Sequence, residues 1–481
     1  MPGALDREMH AVLLEGAQFA PGRSLHYSQC SPVIEVPPCG AILHEARSRV
    51  KQPAPGATAV LDGWSVAATV AGNALEFYDF LAYSTFAVYI GRAFFPSGNG
   101  ATSLLLALAT FGVGFLTRPL GALWIGAYAD RAGRRPALTL TITLMTLGTL
   151  ALVVTPTYAS IGMAAPIILV AARLVQGLAL GGEVGPATAV LLEGAPSGRR
   201  GAFVSWQGFS QGAAIFTAGI VGIALSQLMD SATLAAWGWR VPFALGLCII
   251  PFGIYIRRRL PETLADPGVR SSGAVLRNLW AMQRRTLVLA VLTIMSLTIS
   301  TYVNNYMTTY ALTSLGMPAG KAMFATLANG AATMTAALVG GRLCDRFGRT
   351  RTMIVPRVLT MLLVFPAFLV LLSIRTPVVL VAVTVFMTLI GGLSGTAALT
   401  ALTETLPNES RGSGMAIAYA VAVAVFGGTT QFIIAWLIEV TGDRASPAYY
   451  VIATSAISVW AMVQLGARGP AVEPQFVNRP A

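Results

Sequence analysis

Five ionisable side chains, Glu76, Asp79, Arg118, Arg173 and Glu183, stand inside apolar runs long enough to cross a bilayer. A charge at mid-bilayer costs about 2.5–3.5 kcal/mol on insertion scales, so such a group faces a polar cavity or a partner. These residue types suit two tasks. A buried carboxyl takes up and releases a proton, and a guanidinium grips an anion through paired planar donors. Glu76 lies ~20 Å beyond Asp62 along one helix, and Arg118 lies ~18 Å from Asp130 on the same side, so the two fall at one depth. Asp79 follows one turn after Glu76 and shares its face. Arg173, Gln176 and Glu183 occupy one helical face, as do Gln207 and Gln211. Tyr302, Asn305, Tyr306 and Thr309 form another such stripe. All three histidines, His10, His26 and His44, precede the first apolar run. A proton carrier in the membrane is therefore a carboxylate, with Glu76, Asp79 and Glu183 as candidates.

Each candidate has a plainer alternative. Glu76 and Arg118 form either a working couple or a static ion pair that fixes packing, although apolar packing often replaces such pairs without loss. Arg173 is an anion ligand or the partner of Glu183. Asp79 is a proton carrier or a helix–helix hydrogen bond near the outer mouth. The aromatic stripe lines a cavity or simply packs.

The elements that hold these groups follow from composition. The chain has 481 residues, 55% hydrophobic and only 11% charged, against roughly 25% charged in soluble domains. Runs of about 20 apolar residues span the hydrocarbon. Twelve are expected: 64–90, 102–128, 136–156, 164–192, 202–228, 239–257, 286–313, 321–343, 351–373, 377–403, 413–437 and 447–467. The net charge of +12 is carried by arginines grouped in alternate gaps. Arg131, Arg134 and Arg135 follow span 2, and Arg199 and Arg200 follow span 4. Arg257 to Arg285 hold seven more after span 6; Arg346, Arg349 and Arg351 follow span 8, and Arg411 follows span 10. Cytoplasmic loops carry such an excess, so both termini are expected in the cytoplasm of a cell with the protein in its inner membrane. The expected organisation is a disordered tail over 1–60 (or a start placed too early), a six-helix bundle over 61–258, a cytoplasmic linker over 259–285, a second bundle over 286–467 and a disordered tail over 468–481.

An internal repeat supports two similar halves. Gly126-x-x-x-Asp130-Arg131-x-Gly133-Arg134 recurs as Gly341-x-x-x-Asp345-Arg346-x-Gly348-Arg349. Glu193-x-x-Pro196-x-x-x-Arg200-Gly201 recurs, at a nearly equal offset, as Glu404-x-x-Pro407-x-x-x-Arg411-Gly412. Asp130, Arg131, Arg134 and Glu193, with Asp345, Arg346, Arg349 and Glu404, are expected to form a cytoplasmic latch, closed when the outer side is open. Topology and solvated ion pairs alone would also account for the arginines.

The doubled loop resembles the signature of the major facilitator superfamily. Gly72-Asn73-x-x-Glu76-x-x-Asp79-Phe80, Phe115-Leu-Thr-Arg118-Pro119-Leu120-Gly121, Arg173-Leu-Val-Gln176-Gly177 and Gly238-Trp239-Arg240-Val-Pro242-Phe243 resemble its metabolite–proton symporters. Ala401-Leu-Thr-Glu404-x-x-Pro407, Phe426-Gly427-Gly428 and Thr441-Gly442-Asp443-Arg444-x-Ser446-Pro447 look most like the citrate and tricarboxylate members, in a branch that also carries α-ketoglutarate, shikimate, proline and betaine. The resemblance implies an all-α protein of twelve membrane helices in two pseudo-symmetric six-helix bundles. It implies symport of protons with a small organic acid, no cofactor or resident metal, and function as a monomer. The implied substrate-binding set is Asn73, Glu76, Arg118, Arg173, Gln176, Gln207, Gln211, Tyr302, Asn305 and Tyr306.

Other classes find less support. A primary pump needs a nucleotide site, and no G-x-x-x-x-G-K-[ST] loop is present. A membrane enzyme needs a nucleophile–base or metal constellation that a histidine-free membrane region hardly supplies. A metabolite sensor needs an ordered cytoplasmic domain.

Overall fold

The computed structural model describes residues 63–132, 134–181, 188, 191, 192, 194–196, 198–248, 272–406 and 411–467. Both tails and most of the expected linker lie outside them, as do Glu183, Glu193 and the side chains of Glu76, Asp130, Arg131 and Arg134.

In hydrocarbon no water satisfies the backbone, so a spanning segment bonds to itself as a helix. The first half comprises α1 (Gly63–Phe94), α2 (Gly100–Leu116), α3 (Arg118–Ala132), α4 (Arg134–Val154), α5 (Ala164–Leu180) and α6 (Arg200–Leu228), followed by helical residues 241–248. The second comprises α7 (Ser272–Thr313), α8 (Ala319–Phe347), α9 (Arg349–Ser373), α10 (Pro377–Thr405), α11 (Arg411–Ala422), α12 (Gly428–Thr441) and α13 (Ser446–Gly466). Eight described helical runs are long and apolar enough to cross a membrane. Exposed Leu120, Trp124, Leu228, Val378 and Trp460 face outward, where acyl chains accept them. Of the most apolar window of α7, 78% is buried, against 33% for α9 and for α10. That contrast makes α7 a central helix and the other two peripheral.

Two departures from regular helix shape the interior. The run Gly100–Ile125 breaks at Thr117, between α2 and α3. Pro119 has no N–H to continue the ladder, and Thr117 Oγ1 donates across to the Leu174 carbonyl of α5 (2.9 Å). In the eleventh span a π-helical turn, Val423–Gly427, separates α11 from α12. Such wide turns are frequent at functional sites.

Glycines set the closest helix approaches. A Cβ at Gly177 or Gly181 of α5 would overlap the Gly114 or Arg118 carbonyl oxygen, and one at Gly121 the Leu178 carbonyl oxygen. This small-residue seam, typical of membrane helix pairs, draws α5 against α2 and α3. Across the halves, α6 meets α8 from Gly201 opposite Gly341 to Gly222 opposite Met323. Another cross-half pair, α2 with α12, meets at Gly112 and Gly428.

Candidate binding and coupling site

The α2–α5 seam places two arginines on one aromatic cluster. Arg118 opens α3 and is 4% exposed; its guanidinium carbon lies 4.0 Å from the Phe115 ring centroid and 4.6 Å from that of Phe80. Arg173 is fully buried, 3.9 Å above Tyr83 and 5.6 Å from Phe80. Stacking on aromatic faces holds a desolvated guanidinium while leaving its edge donors available. None of the Arg173 nitrogens has a hydrogen-bond partner, nor does Arg118 Nε.

Asp79 supplies the counter-charge. Its Oδ2 is 3.9 Å from Arg173 Nη1, an ion pair too long for a hydrogen bond. Gln176 Nε2 donates to the same oxygen (2.5 Å) and to Thr149 Oγ1 (2.9 Å). Asp79 Oδ1 is buried without a partner. Arg173 therefore meets Asp79 of α1, while Glu183 falls outside the described residues. Glu76 lies one turn before Phe80 on α1, its side chain likewise undescribed. Together these form a loosely paired carboxylate–guanidinium couple with spare acceptors and donors on each member.

Arg118 opens toward the second half. It lines a narrow cleft with Leu180, Gly181, Ala416, Tyr419, Ala420 and Val423. Tyr302 lies beside Arg118, and its ring packs on Phe111 and Phe115 at 6.0 and 5.4 Å. Gln211 lies beside Tyr419. Asn305 Oδ1 accepts from Asn329 Nδ2 (2.7 Å), whose own Oδ1 accepts from Thr388 (2.8 Å); Asn305 Nδ2 remains without a partner. Tyr306 is packed in the apolar core of the second half. Asn73 and Gln207 bond one another: Gln207 Nε2 donates to Asn73 Oδ1 (3.1 Å) and Asn73 Nδ2 to Ser210 (2.5 Å).

The halves touch at both ends. At the arginine-rich end the Asp345 carboxylate accepts from the N–H groups of Gly201 (2.8 Å) and Ala202 (2.9 Å), where α6 begins. Arg349 forms a two-pronged pair with Glu404 within the second half, both bonds 2.8 Å. Arg200 reaches Glu404 from the first half at 3.5 Å but is half exposed, so that contact contributes at most about 1 kcal/mol. The stronger tie between halves is Asp345 on the α6 backbone. Toward the other end, Gln431 Nε2 donates to Ser84 Oγ (2.5 Å), Thr309 to the Ser84 carbonyl (3.4 Å), and Asn99 to Glu439 (3.5 Å).

The family model of the Major Facilitator Superfamily matches residues 70–430. The chain belongs to the Major Facilitator Superfamily. The citrate-proton symporter of Klebsiella pneumoniae is 36% identical over 384 residues, covering 79% of this chain and 86% of that one. The alpha-ketoglutarate permease of Escherichia coli K12 is 31% identical over 417 residues, 84% and 94% of the two chains. The solved xylose transporter of E. coli, in a partially occluded inward-open form, superposes with a TM-score of 0.65 at 17% identity over 84% and 97%. As a member of the Major Facilitator Superfamily the chain is a multi-pass membrane transporter, not an enzyme, with the twelve-helix, two-bundle fold.

Several residues at the Major Facilitator Superfamily site escape sequence reasoning. Tyr419, Thr149, Asn329, Thr388, Ser84 and Gln431 carry no charge to betray them. Asn329 and Gln431 alone give a signal, each as an amide inside an apolar run.

Proposed function

We propose that the chain is a proton-coupled symporter that brings a small di- or tricarboxylate of the citrate class into the cell across the inner membrane by alternating access. The observation that carries this reading is the pair of buried arginines with free donors, one of them loosely paired to Asp79 and the other lining the cleft between halves. The named activities of the citrate and alpha-ketoglutarate relatives support it.

Each negative charge moved inward against 100 mV costs about 2.3 kcal/mol, so a polyanion needs company. A substrate carboxylate that engages Arg118 and then Arg173 draws the guanidinium from Asp79. A buried carboxyl deprived of its counter-charge holds a proton, so substrate and proton occupy the site together. Asn305, with its free amide donor, and Tyr302 receive the far end of the substrate from the second half. Glu76 and Glu183 are further proton-carrying candidates. The halves then rock about the loaded site, with the arginine-rich end at the cytoplasm.

Uptake of labelled citrate into proteoliposomes under an imposed acid-outside gradient tests this. Citrate and α-ketoglutarate are expected to compete, and betaine and proline not. Competition by betaine alone, or uptake indifferent to the gradient, overturns it.

The cytoplasmic latch has its own expected outcome. Asp345→Asn keeps the shape but removes the charge from two N–H bonds, each charge-assisted bond being worth about 1.5–3 kcal/mol. Labelling of a cysteine placed beside Gly201 should rise severalfold as that end opens more often. Unchanged labelling would show that Asp345 holds nothing shut.

A further inference from the structure

The second half contains a charged group that the transport site does not use. Arg357 of α9 is wholly inaccessible, among the largest fully buried side chains. It follows Pro356, one of two prolines inside α9. Its Nη1 donates to the Ser296 carbonyl (3.3 Å) and to Ser300 Oγ (2.8 Å) of α7. Nε and Nη2 have no partner, and among the described residues no charged neighbour acts on the guanidinium. Among the described residues, the second half's acidic side chains, Asp345, Glu404, Glu439 and Asp443, all stand at or beyond helix ends.

Hydroxyl groups without partners stand on the neighbouring turns of α7 and α13. Ser458 of α13 donates to the Thr293 carbonyl of α7 (3.0 Å), which fixes the two helices at that level. They run in opposite directions, so Ser455, one turn back along α13, comes level with Ser296, one turn on along α7. Ser296, Ser455 and Thr293 are fully buried and their hydroxyl oxygens have no partner. By helical spacing, Ser296 and Ser300 lie on the face of α7 turned away from the Tyr302–Asn305–Tyr306–Thr309 stripe. This cluster is therefore separate from the cleft at Arg118.

A lone buried cation costs several kcal/mol, and a guanidinium does not escape by losing its proton. Among the described residues none supplies the opposite charge, and an anion from solution would. The hydroxyls on those turns are neutral donors. We propose that Arg357, with Ser296, Ser300 and Ser455, holds a single small monovalent inorganic anion of halide size behind α7.

The test is thermal unfolding of the purified protein in chloride, bromide or gluconate at equal ionic strength. The native protein is expected to melt higher in either halide, saturably, and Arg357→Met to melt alike in all three. Ser300→Ala should weaken half-saturation by chloride by about tenfold, which keeps the test open should the arginine variant not fold. Crystals grown in bromide should show one anomalous peak against Arg357. Identical melting of the native protein in chloride and gluconate overturns the proposal. A halide effect that survives in Arg357→Met overturns it too. So does protection by citrate that Arg357→Met abolishes, since that would assign Arg357 to the transport site.

Discussion

In vesicles with an acidic exterior, Asp79→Asn is expected to abolish gradient-driven accumulation of substrate. For the native protein each pH unit should add about tenfold accumulation per coupled proton, since one unit is worth 1.36 kcal/mol. For the variant the response should be flat. Asparagine retains the size of the side chain and an acceptor for Gln176, but it has no proton to give at any accessible pH. The variant also leaves Arg173 uncompensated, and breaking a buried pair costs about 3–5 kcal/mol. A second change, Arg173→Met on the Asp79→Asn background, should restore stability and leave accumulation absent. Substrate exchange without a gradient that persists in Asp79→Asn separates a coupling role from a structural one. Native gradient dependence in Asp79→Asn would move the proton to Glu76 or Glu183.

Arg118→Lys should raise the half-saturating substrate concentration by roughly a hundredfold, the effect of ~3 kcal/mol for losing a buried charge contact. Lysine retains the charge, yet the site is built for a plane. The guanidinium lies between 4.0 and 4.6 Å from two aromatic centroids and presents its edge to the cleft. An ammonium is a compact, strongly hydrated point charge that reproduces neither the stacking nor the paired donors. Uptake kinetics of the Lys and Gln variants measure this. A lysine variant with native half-saturation would show that Arg118 only attracts anions by charge.

Much of the fold was legible because hydrocarbon leaves the chain few choices. Apolar run length marked the spans, and most described helix ends fall within a turn of the expected positions. The exception is α7, which starts at Ser272, inside the segment read as linker. Arg277, Asn278, Gln283 and Arg284 are acceptable helix formers once they stand outside the apolar zone, and no proline interrupts them. The ionisable residues were legible singly, because charge in oil is conspicuous. Their pairings were not. Helical spacing relates residues on one helix, and it suggested Glu183 as an alternative partner for Arg173. The Asp79 pairing joins two helices, so it depends on how far each is rotated and how closely they approach. Asn73 and Gln207 illustrate the same point, two amides on different helices that satisfy each other.

The two bundles differ in what they bury around the transport site. Among the described residues, the first holds a carboxylate and two guanidinium groups about Phe80, while the second offers Tyr302 and the amide–hydroxyl chain of Asn305, Asn329 and Thr388. On the proposed reading, the proton carrier and the arginines that hold the substrate carboxylates lie in the first bundle, and the second bundle adds neutral contacts. On that reading, a change at Asn329 or Thr388 is expected to alter which substrate is accepted while leaving the carboxylate–guanidinium couple in place.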